Sequence, residues 1–139
     1  MTAKEFLKQY RRETERVIEL NQSIAELEQQ IDSISINLDG MPHGTKISNN
    51  TQDLALRLAE RKALCENMTA CAVLIREEVM DAIHKVDDPV LARLLYLRYI
   101  EGASWKDIAE DLHYDDAYVR SRLHSKALAQ IASQSIIHI

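Results

Sequence analysis

Two long stretches without glycine or proline set the strongest limit on what this chain folds into. They cover residues 4–38 and 52–86 of the 139-residue sequence. Glycine and proline are the residues that most often interrupt helices, so uninterrupted stretches of this length favour long helices. With 3 Gly, 2 Pro and 5% aromatic residues in the whole chain, a sheet-rich fold is disfavoured. We therefore expect an all-α protein.

Apolar residues recur in both stretches at the spacing of paired helices. In the second stretch, steps of three and four residues alternate strictly from Leu58 to Val86. Nearly the same steps run from Leu7 to Leu38 in the first stretch. Each series places one apolar stripe along a helix, and such a stripe packs against another helix. Gly40 is expected to end the first helix, and Asn50 or Thr51 to cap the second. Residues 1–86 are thus predicted to form a long antiparallel helical hairpin.

A hairpin buries only one stripe of each helix, and several apolar residues remain outside these stripes. A second copy of the chain could cover them in a four-helix bundle, so that the hairpin drives homodimerisation. Alternatively, the carboxy-terminal helices could fold back and cover them within one chain. The leftover residues are Leu54, Leu56, Leu64, Val73 and Leu74.

The helix pattern changes at Asp88-Pro89, where aspartate suits the N-cap and proline the first helical position. Gly102 is expected to end that helix with a positive φ, and Ser104 to cap the next helix. Asp115 is the expected cap of a third helix, which has Val119, Leu123, Lys126 or Ala127, and Gln130 or Ile131 along its buried side. This pattern predicts a three-helix helix-turn-helix module over residues 87–139, the kind that presents one helix to the DNA major groove.

The module resembles region four of bacterial sigma factors. The residues that carry the resemblance are Gly102, Ser104-Trp105, Ile108-Ala109-Glu110, Val119-Arg120-Ser121-Arg122-Leu123 and Lys126. His113 stands where that family has glycine in the turn, so we expect it in the left-handed conformation. No segment resembles sigma region two, so the chain is not expected to be a complete sigma factor.

Taken with the hairpin and its loop, the module is similar to small phage- and prophage-encoded proteins. This family looks akin to late-gene transcription activators of phages of low-GC Gram-positive bacteria. The resemblance implies a phage-type transcriptional regulator rather than an enzyme. Such a regulator would bind double-stranded DNA through the module, as a homodimer if the hairpin pairs, and could contact RNA polymerase in the manner of sigma region four.

Eight residues of the last helix form the predicted DNA-binding set. If Val119 and Leu123 face the core, a step of about 100° per residue turns Asp116, Ala117, Arg120, Ser121 and His124 toward the groove, with Arg122, Lys126 and Tyr118 toward its edge. Arg120 is expected to contact guanine, while Arg122 and Lys126 are expected to meet phosphates. His124 is expected to strengthen binding below about pH 6.5, where it becomes charged. The set is Asp116, Ala117, Tyr118, Arg120, Ser121, Arg122, His124 and Lys126.

Motifs for catalysis are missing from the sequence. It contains no nucleophile–base pair, glycine-rich phosphate loop or HExxH-like pair, so we expect no enzyme activity and no cofactor. Cys65 and Cys71 lie too far apart for a zinc knuckle or a redox dithiol, so no metal site is expected. Without a long apolar run or an apolar amino-terminal signal, we expect no membrane contact and a location in the cytoplasm of a bacterial host cell.

Two functions from different classes fit these features. In a DNA-binding regulator, Arg120, Arg122 and Lys126 would project outward. In a protein-interaction module, such as an anti-repressor or an assembly factor, they would be paired with nearby acids. A DNA-binding protein similar to a terminase small subunit is a third alternative. The net charge of −5 disfavours indiscriminate nucleic-acid binding, although the local charge of a surface decides what it contacts.

Overall fold

The chain is all-α, as the sequence predicted. The structure is a computed structural model that describes residues 1–38 and 45–134, with side chains for residues 1–34 and 51–134. Two long helices come first, α1 at Ala3–Leu38 and α2 at Thr45–His84. The predicted helix end at Gly40 lies outside the described residues. No helix within the described ranges is both long enough and apolar enough to span a membrane.

The second long helix begins earlier than the sequence predicted. Asn50 and Thr51, the expected caps, both lie inside α2, so that prediction is wrong. The segment from residue 45 to residue 50 is polar, which favours a loop, but it contains neither glycine nor proline. Adding one residue to an existing helix costs little, since each new residue gains a hydrogen bond. The helix therefore extends through this segment.

Contacts between residues divide the chain into two compact units. The helix-pair unit consists of residues 14–71, and the module unit consists of residues 1–13 and 72–139. In the helix-pair unit, α1 and α2 run antiparallel. Cys65 Sγ donates a hydrogen bond to Asn21 Oδ1 at 3.1 Å, and Arg61 Nη1 donates one to Ser23 Oγ at 2.9 Å. Ile24 of α1, next in sequence to these hydrogen-bonded residues, is buried in this unit.

The module unit includes the start of α1 and the end of α2, whereas the sequence suggested a boundary at residue 86. Leu7 of α1 and Val79 of α2 are both 0% exposed. They belong to one core with apolar residues of the carboxy-terminal helices, so the ends of the long helices complete the interior of this unit. The buried residues of those later helices are Leu91, Leu94, Leu95, Leu97, Tyr99, Ile100, Ile108, Ala109, Val119, Leu123, Ala127 and Ile131.

Helix α3 spans Pro89–Leu95 and continues in a π-helical turn, Tyr96–Ile100. As predicted, Asp88 caps it: its side chain accepts a hydrogen bond from the backbone N–H of Val90 at 2.9 Å. The π-helical turn is marked by the bond from Glu101 N–H to the carbonyl of Tyr96, five residues back. Gly102 then reverses the chain with a φ of 71°. This conformation favours glycine because it has no Cβ.

Helix α4 spans Trp105–Leu112. Ser104 caps it as predicted, since its hydroxyl accepts from the backbone N–H of Asp107 at 3.2 Å. His113 ends α4 with φ 61° and ψ 41°, the left-handed conformation expected from its place in the turn. Asp115 has the extended backbone of an N-cap residue, yet its side chain makes no capping hydrogen bond. The predicted cap at Asp115 is therefore realised in the backbone alone.

Candidate nucleic-acid interface

The last helix is built from three consecutive parts. They are α5 at Asp116–Tyr118, a π-helical turn at Val119–Leu123, and α6 at His124–Ala132. We call residues 116–132 the terminal helix. Its buried side is formed by Val119, Leu123, Ala127 and Ile131. Where the sequence left two choices open, the structure buries Ala127 and Ile131 and leaves Lys126 exposed. Packing on this side fixes which residues the helix presents to solvent.

Most of the predicted DNA-binding residues lie at the surface of the module unit. Asp116 is half-buried, and the others except His124 are exposed. The exposed members are Ala117, Tyr118, Arg120, Ser121, Arg122 and Lys126. One helix face therefore carries three cationic side chains between small residues.

His124 is the exception, and the prediction that it faces the groove is wrong. Its side chain is 8% exposed. The reason is the π-helical turn, in which the backbone N–H of His124 bonds to the carbonyl of Val119, five residues back. An α-helix would bond residues four apart, so the extra residue rotates His124 inward and places it one turn above Val119. Val119 is itself 0% exposed.

The buried imidazole joins three helices of the module unit. His124 Nε2 and the hydroxyl of Tyr99 share a hydrogen bond of 2.6 Å. The ring of Trp105 meets the imidazole edge to face, with 4.7 Å between ring centroids. On Trp105 lies the guanidinium of Arg98, 4.4 Å from the ring centroid, and Arg98 also donates to the carbonyl of Ala103 at 3.1 Å. His124 and half-buried Trp105 thus hold the terminal helix to α3 and α4.

Burial keeps this imidazole neutral. Burial, with smaller contributions from the nearby cations Lys4, Arg98 and Lys8, lowers the pKa of His124 to about 4. Burial also raises the pKa of the Tyr99 hydroxyl, so the hydroxyl stays protonated and can donate to Nε2. His124 is therefore a structural residue, and it cannot supply a charge to a phosphate near neutral pH.

The three cations of the exposed face differ in their partners. Arg120 Nη2 is 3.1 Å from Oδ2 of Asp116, one helical turn earlier. In the part of the chain that the structure describes, neither Arg122 nor Lys126 forms an ion pair. The other oxygen of Asp116, Oδ1, is buried and has no hydrogen-bond partner in the structure. Arg122 and Lys126 are thus exposed and outside ion pairs, as expected of a DNA-binding regulator. Arg120 is paired with a nearby acid, as expected of a protein-interaction module.

Sequence reasoning missed Ser125, which lies on the same exposed face. Its hydroxyl donates to the carbonyl of Ser121 at 2.6 Å, and the hydroxyl of Ser121 donates to the carbonyl of Ala117 at 2.7 Å. Hydroxyls that bond back onto their own helix leave a low surface along residues 117, 121 and 125. The sequence signal for this surface was the four-residue spacing of the small residues 117, 121 and 125. The π-helical turn at Val119–Leu123 changes the rotation per residue, so a regular helix projection did not place Ser125 on the exposed face.

Two tyrosines stand at the start of the terminal helix. The rings of Tyr114 and Tyr118 lie 5.7 Å apart between centroids. They are 46% and 40% exposed, respectively. Both tyrosines are thus partly exposed near the start of the terminal helix, and tyrosine side chains often contact sugars and phosphates.

Comparison of this chain with models of protein families, with curated proteins and with solved structures gave no match.

Proposed function

We propose that this protein is a phage-type, DNA-binding transcriptional regulator that uses its terminal helix as the recognition helix. The observation that carries the proposal is the exposed face of that helix. Arg122 and Lys126 are exposed there without ion-pair partners among the described residues, and Ala117, Ser121 and Ser125 keep the surface between them low. Cations beside a flat helix surface suit the major groove, since the backbone approaches the bases while the cations reach phosphates.

Arg120 is the candidate for base recognition under this proposal. Its pair with Asp116 orients the guanidinium at the groove end of the helix, where a bidentate contact with guanine would discriminate by about 1–3 kcal/mol. Asp116 repels phosphates, so it would reduce affinity for all sequences while holding Arg120 in place. Specificity and affinity would then come from different side chains.

Homodimerisation is the second part of the proposal. Leu56 and Leu64 in the helix-pair unit are 59% and 51% exposed, and Val73 and Leu74 in the module unit are 54% and 66% exposed. The module helices cover the ends of α1 and α2 but leave these four residues at the surface. A second copy of the chain would remove these apolar side chains from water, within each unit separately. Light scattering at micromolar concentration should give about twice the chain mass of 15.9 kDa, and a monomer throughout would contradict dimerisation.

A protein-interaction module is the second candidate, and the ion pair between Arg120 and Asp116 favours it. An anti-repressor or assembly factor would use the terminal helix as a packing surface, with its arginine already neutralised. The net charge of −5 also suits such a role, because it weakens the attraction to DNA. On this reading, Arg122 and Lys126 would meet acidic groups of a protein partner.

Selection from a library of random-sequence duplexes distinguishes the two candidates. A regulator should enrich one sequence, and Arg120→Ala should relax the enriched motif at one position. Lys126→Ala should weaken binding to every sequence alike. Arg57→Ala, an exposed arginine of the helix-pair unit, is the control and should change neither. Failure of the wild-type chain to enrich or retain any duplex would favour the interaction module.

RNA polymerase, the further partner implied by the sigma-like residues, can be tested by co-purification with and without the selected duplex.

A further inference from the structure

The beginning of α1 is strongly basic within an acidic chain. Residues 4–12 contain four cationic side chains and one acidic residue, Glu5, while the whole chain has a net charge of −5. At about 100° per residue, Lys4, Lys8 and Arg11 fall within about 60° of one another around the helix. Arg12 lies next to them. We call Lys4, Lys8, Arg11 and Arg12 the basic ridge.

This ridge belongs to the module unit and lies against the carboxy-terminal helices. Between its members, Phe6 and Leu7 are 6% and 0% exposed, in the core that contains Val119 of the terminal helix. The guanidinium of Arg11 lies against Gly102, since a Cβ at Gly102 would be 2.5 Å from Arg11 Cζ. The turn between α3 and α4 is thus in contact with the ridge.

The charges of the ridge also reach the terminal helix. Lys4 and Lys8 both act electrostatically on His124, as does Arg98 of the π-helical turn after α3. Together with the shared core of Phe6, Leu7 and Val119, this places the start of α1 alongside the terminal helix within the module unit. Arg122 and Lys126 flank His124 in the sequence, but they are exposed, on the side of the helix that faces away from the core.

The exposed members of the ridge are available to a ligand. Lys4, Lys8 and Arg12 are exposed, and none of them forms an ion pair with another described residue. The neighbouring acid does not neutralise them, because Glu5 is engaged at the helix start. Its Oε2 accepts from the backbone N–H of Thr2 at 3.1 Å, while its own N–H donates to Thr2 Oγ1 at 3.1 Å. This reciprocal capping holds α1 in place from its first turn.

We propose that Lys4, Lys8 and Arg12 form a second phosphate-binding surface, which contacts the backbone of the DNA segment held by the terminal helix. This inference rests on the proposed DNA-binding function. The two lysines lie one helical turn apart, about 6 Å along the axis, so both can reach phosphates of one strand. A single recognition helix flanked by carboxylates binds weakly, and each neutralised phosphate adds affinity through counterion release. The amino terminus of α1 would thus supply the non-specific affinity that the terminal helix lacks.

The test is the salt dependence of binding to a mixed-sequence duplex of about 30 base pairs, roughly three turns of DNA. A plot of log K against log salt has a negative slope, and each phosphate contact contributes about −0.9 to it. The variant Lys4→Gln/Lys8→Gln should therefore have a slope that is less negative by about 2. Lys4→Arg/Lys8→Arg should keep the wild-type slope. Arg57→Gln/Lys62→Gln makes the same change in net charge within the helix-pair unit and should also leave the slope unchanged.

The outcomes separate this inference from the proposed function. A wild-type chain that binds DNA, with the same slope in Lys4→Gln/Lys8→Gln, overturns the second surface and leaves DNA binding by the terminal helix intact. The second surface would also be overturned if the Arg57→Gln/Lys62→Gln control made the slope less negative to the same extent, because net charge alone would then explain the effect. A wild-type chain that binds no duplex at low salt overturns both proposals. All four proteins should show nearly the same thermal unfolding, because the substituted side chains are exposed and the ion pair that the control removes, Lys62–Glu28, is a surface pair that contributes little to stability.

Discussion

Acid should destabilise this protein through one buried side chain, His124. The folded state lowers its pKa to about 4, from an ordinary value of 6.5, because the imidazole is removed from water among Tyr99, Trp105 and nearby cations. In the unfolded chain, the ring takes up a proton below about pH 6.5. Between these two pKa values the unfolded state binds more protons, so stability is full above pH 6.5 and falls as the pH drops toward 4.

The magnitude follows from the gap between the two pKa values. Each pKa unit corresponds to about 1.4 kcal/mol, so a gap of about 2.5 sets an upper limit near 3.4 kcal/mol. Solvent screens the contributions of the exposed Lys4 and Lys8, so we expect a loss of about 2–3 kcal/mol between pH 6.5 and 4. This is a large share of the stability of a small domain, which is about 5–15 kcal/mol.

Urea unfolding followed by tryptophan fluorescence measures this loss directly. Trp105 is the only tryptophan, and its ring lies 4.7 Å from the imidazole, so the signal reports on the cluster itself. Carboxylates also titrate in this range, and His124→Gln is the control that removes the histidine while keeping them. The free energy of unfolding should fall more steeply with acid in the wild type than in the variant. Equal slopes in the two proteins would refute the assignment of a buried, neutral imidazole.

Three further substitutions test the packing and charges of the module unit. Gly102→Ala should lower the free energy of unfolding by about 1–2 kcal/mol, because the residue has a φ of 71° and its new Cβ would meet Arg11. In the double variant Gly102→Ala/Arg11→Ala, urea titration should recover only the part of the lost free energy that comes from the contact with Arg11, and the part due to the positive φ should remain. Trp105→Ala should reduce the melting temperature by several degrees, whereas an unchanged melting temperature would contradict its structural role. Asp116→Asn should leave stability nearly unchanged and tighten binding to mixed-sequence duplexes several-fold, since it removes a charge that repels phosphate. It should also relax the preference at the position read by Arg120, which loses its orienting partner. Weaker binding of Asp116→Asn to mixed-sequence duplexes would contradict the repulsive role of the carboxylate.

The ends of the carboxy-terminal helices were predictable because capping is a local event. Asp88 and Ser104 each bond to a backbone N–H within three residues, so the sequence nearby determines the cap. The positive φ of Gly102 and of His113 follows from the turns in which they lie. The first half of the buried side of the terminal helix was also readable, because Val119 and Leu123 are apolar at helical spacing, whereas the choice of Ala127 and Ile131 over Lys126 and Gln130 came from the structure.

The position of His124 could not be read from this spacing. A projection at 100° per residue assumes bonds between residues four apart, and the π-helical turn replaces one such bond by a bond from His124 to Val119. Nothing in the segment Val119–Leu123 distinguishes the two patterns, because the choice depends on packing against Tyr99 and Trp105. Residues after the turn therefore rotate relative to the prediction, and Ser125 joins the exposed face in place of His124.

The extent of the module unit depends on contacts that are distant in sequence. Leu7 and Val79 fit the helical stripes of a hairpin, and their spacing cannot show that they also pack with Ile108 and Val119. The basic ridge was missed for the same reason. Lys4 and Lys8 look like solvated surface charges until the fold brings them beside His124.

Chemical-shift mapping on the isotope-labelled protein tests the central claim most directly. A duplex enriched from the random library, or a mixed-sequence duplex at low salt, would be titrated into the full chain. We predict that the largest shifts fall on exposed residues of the terminal helix, namely Ala117, Arg120, Ser121, Arg122, Ser125 and Lys126, while residues 14–71 remain unchanged. Shifts confined to residues 14–71, or no shifts at a duplex concentration in large excess, would contradict recognition of DNA by the terminal helix.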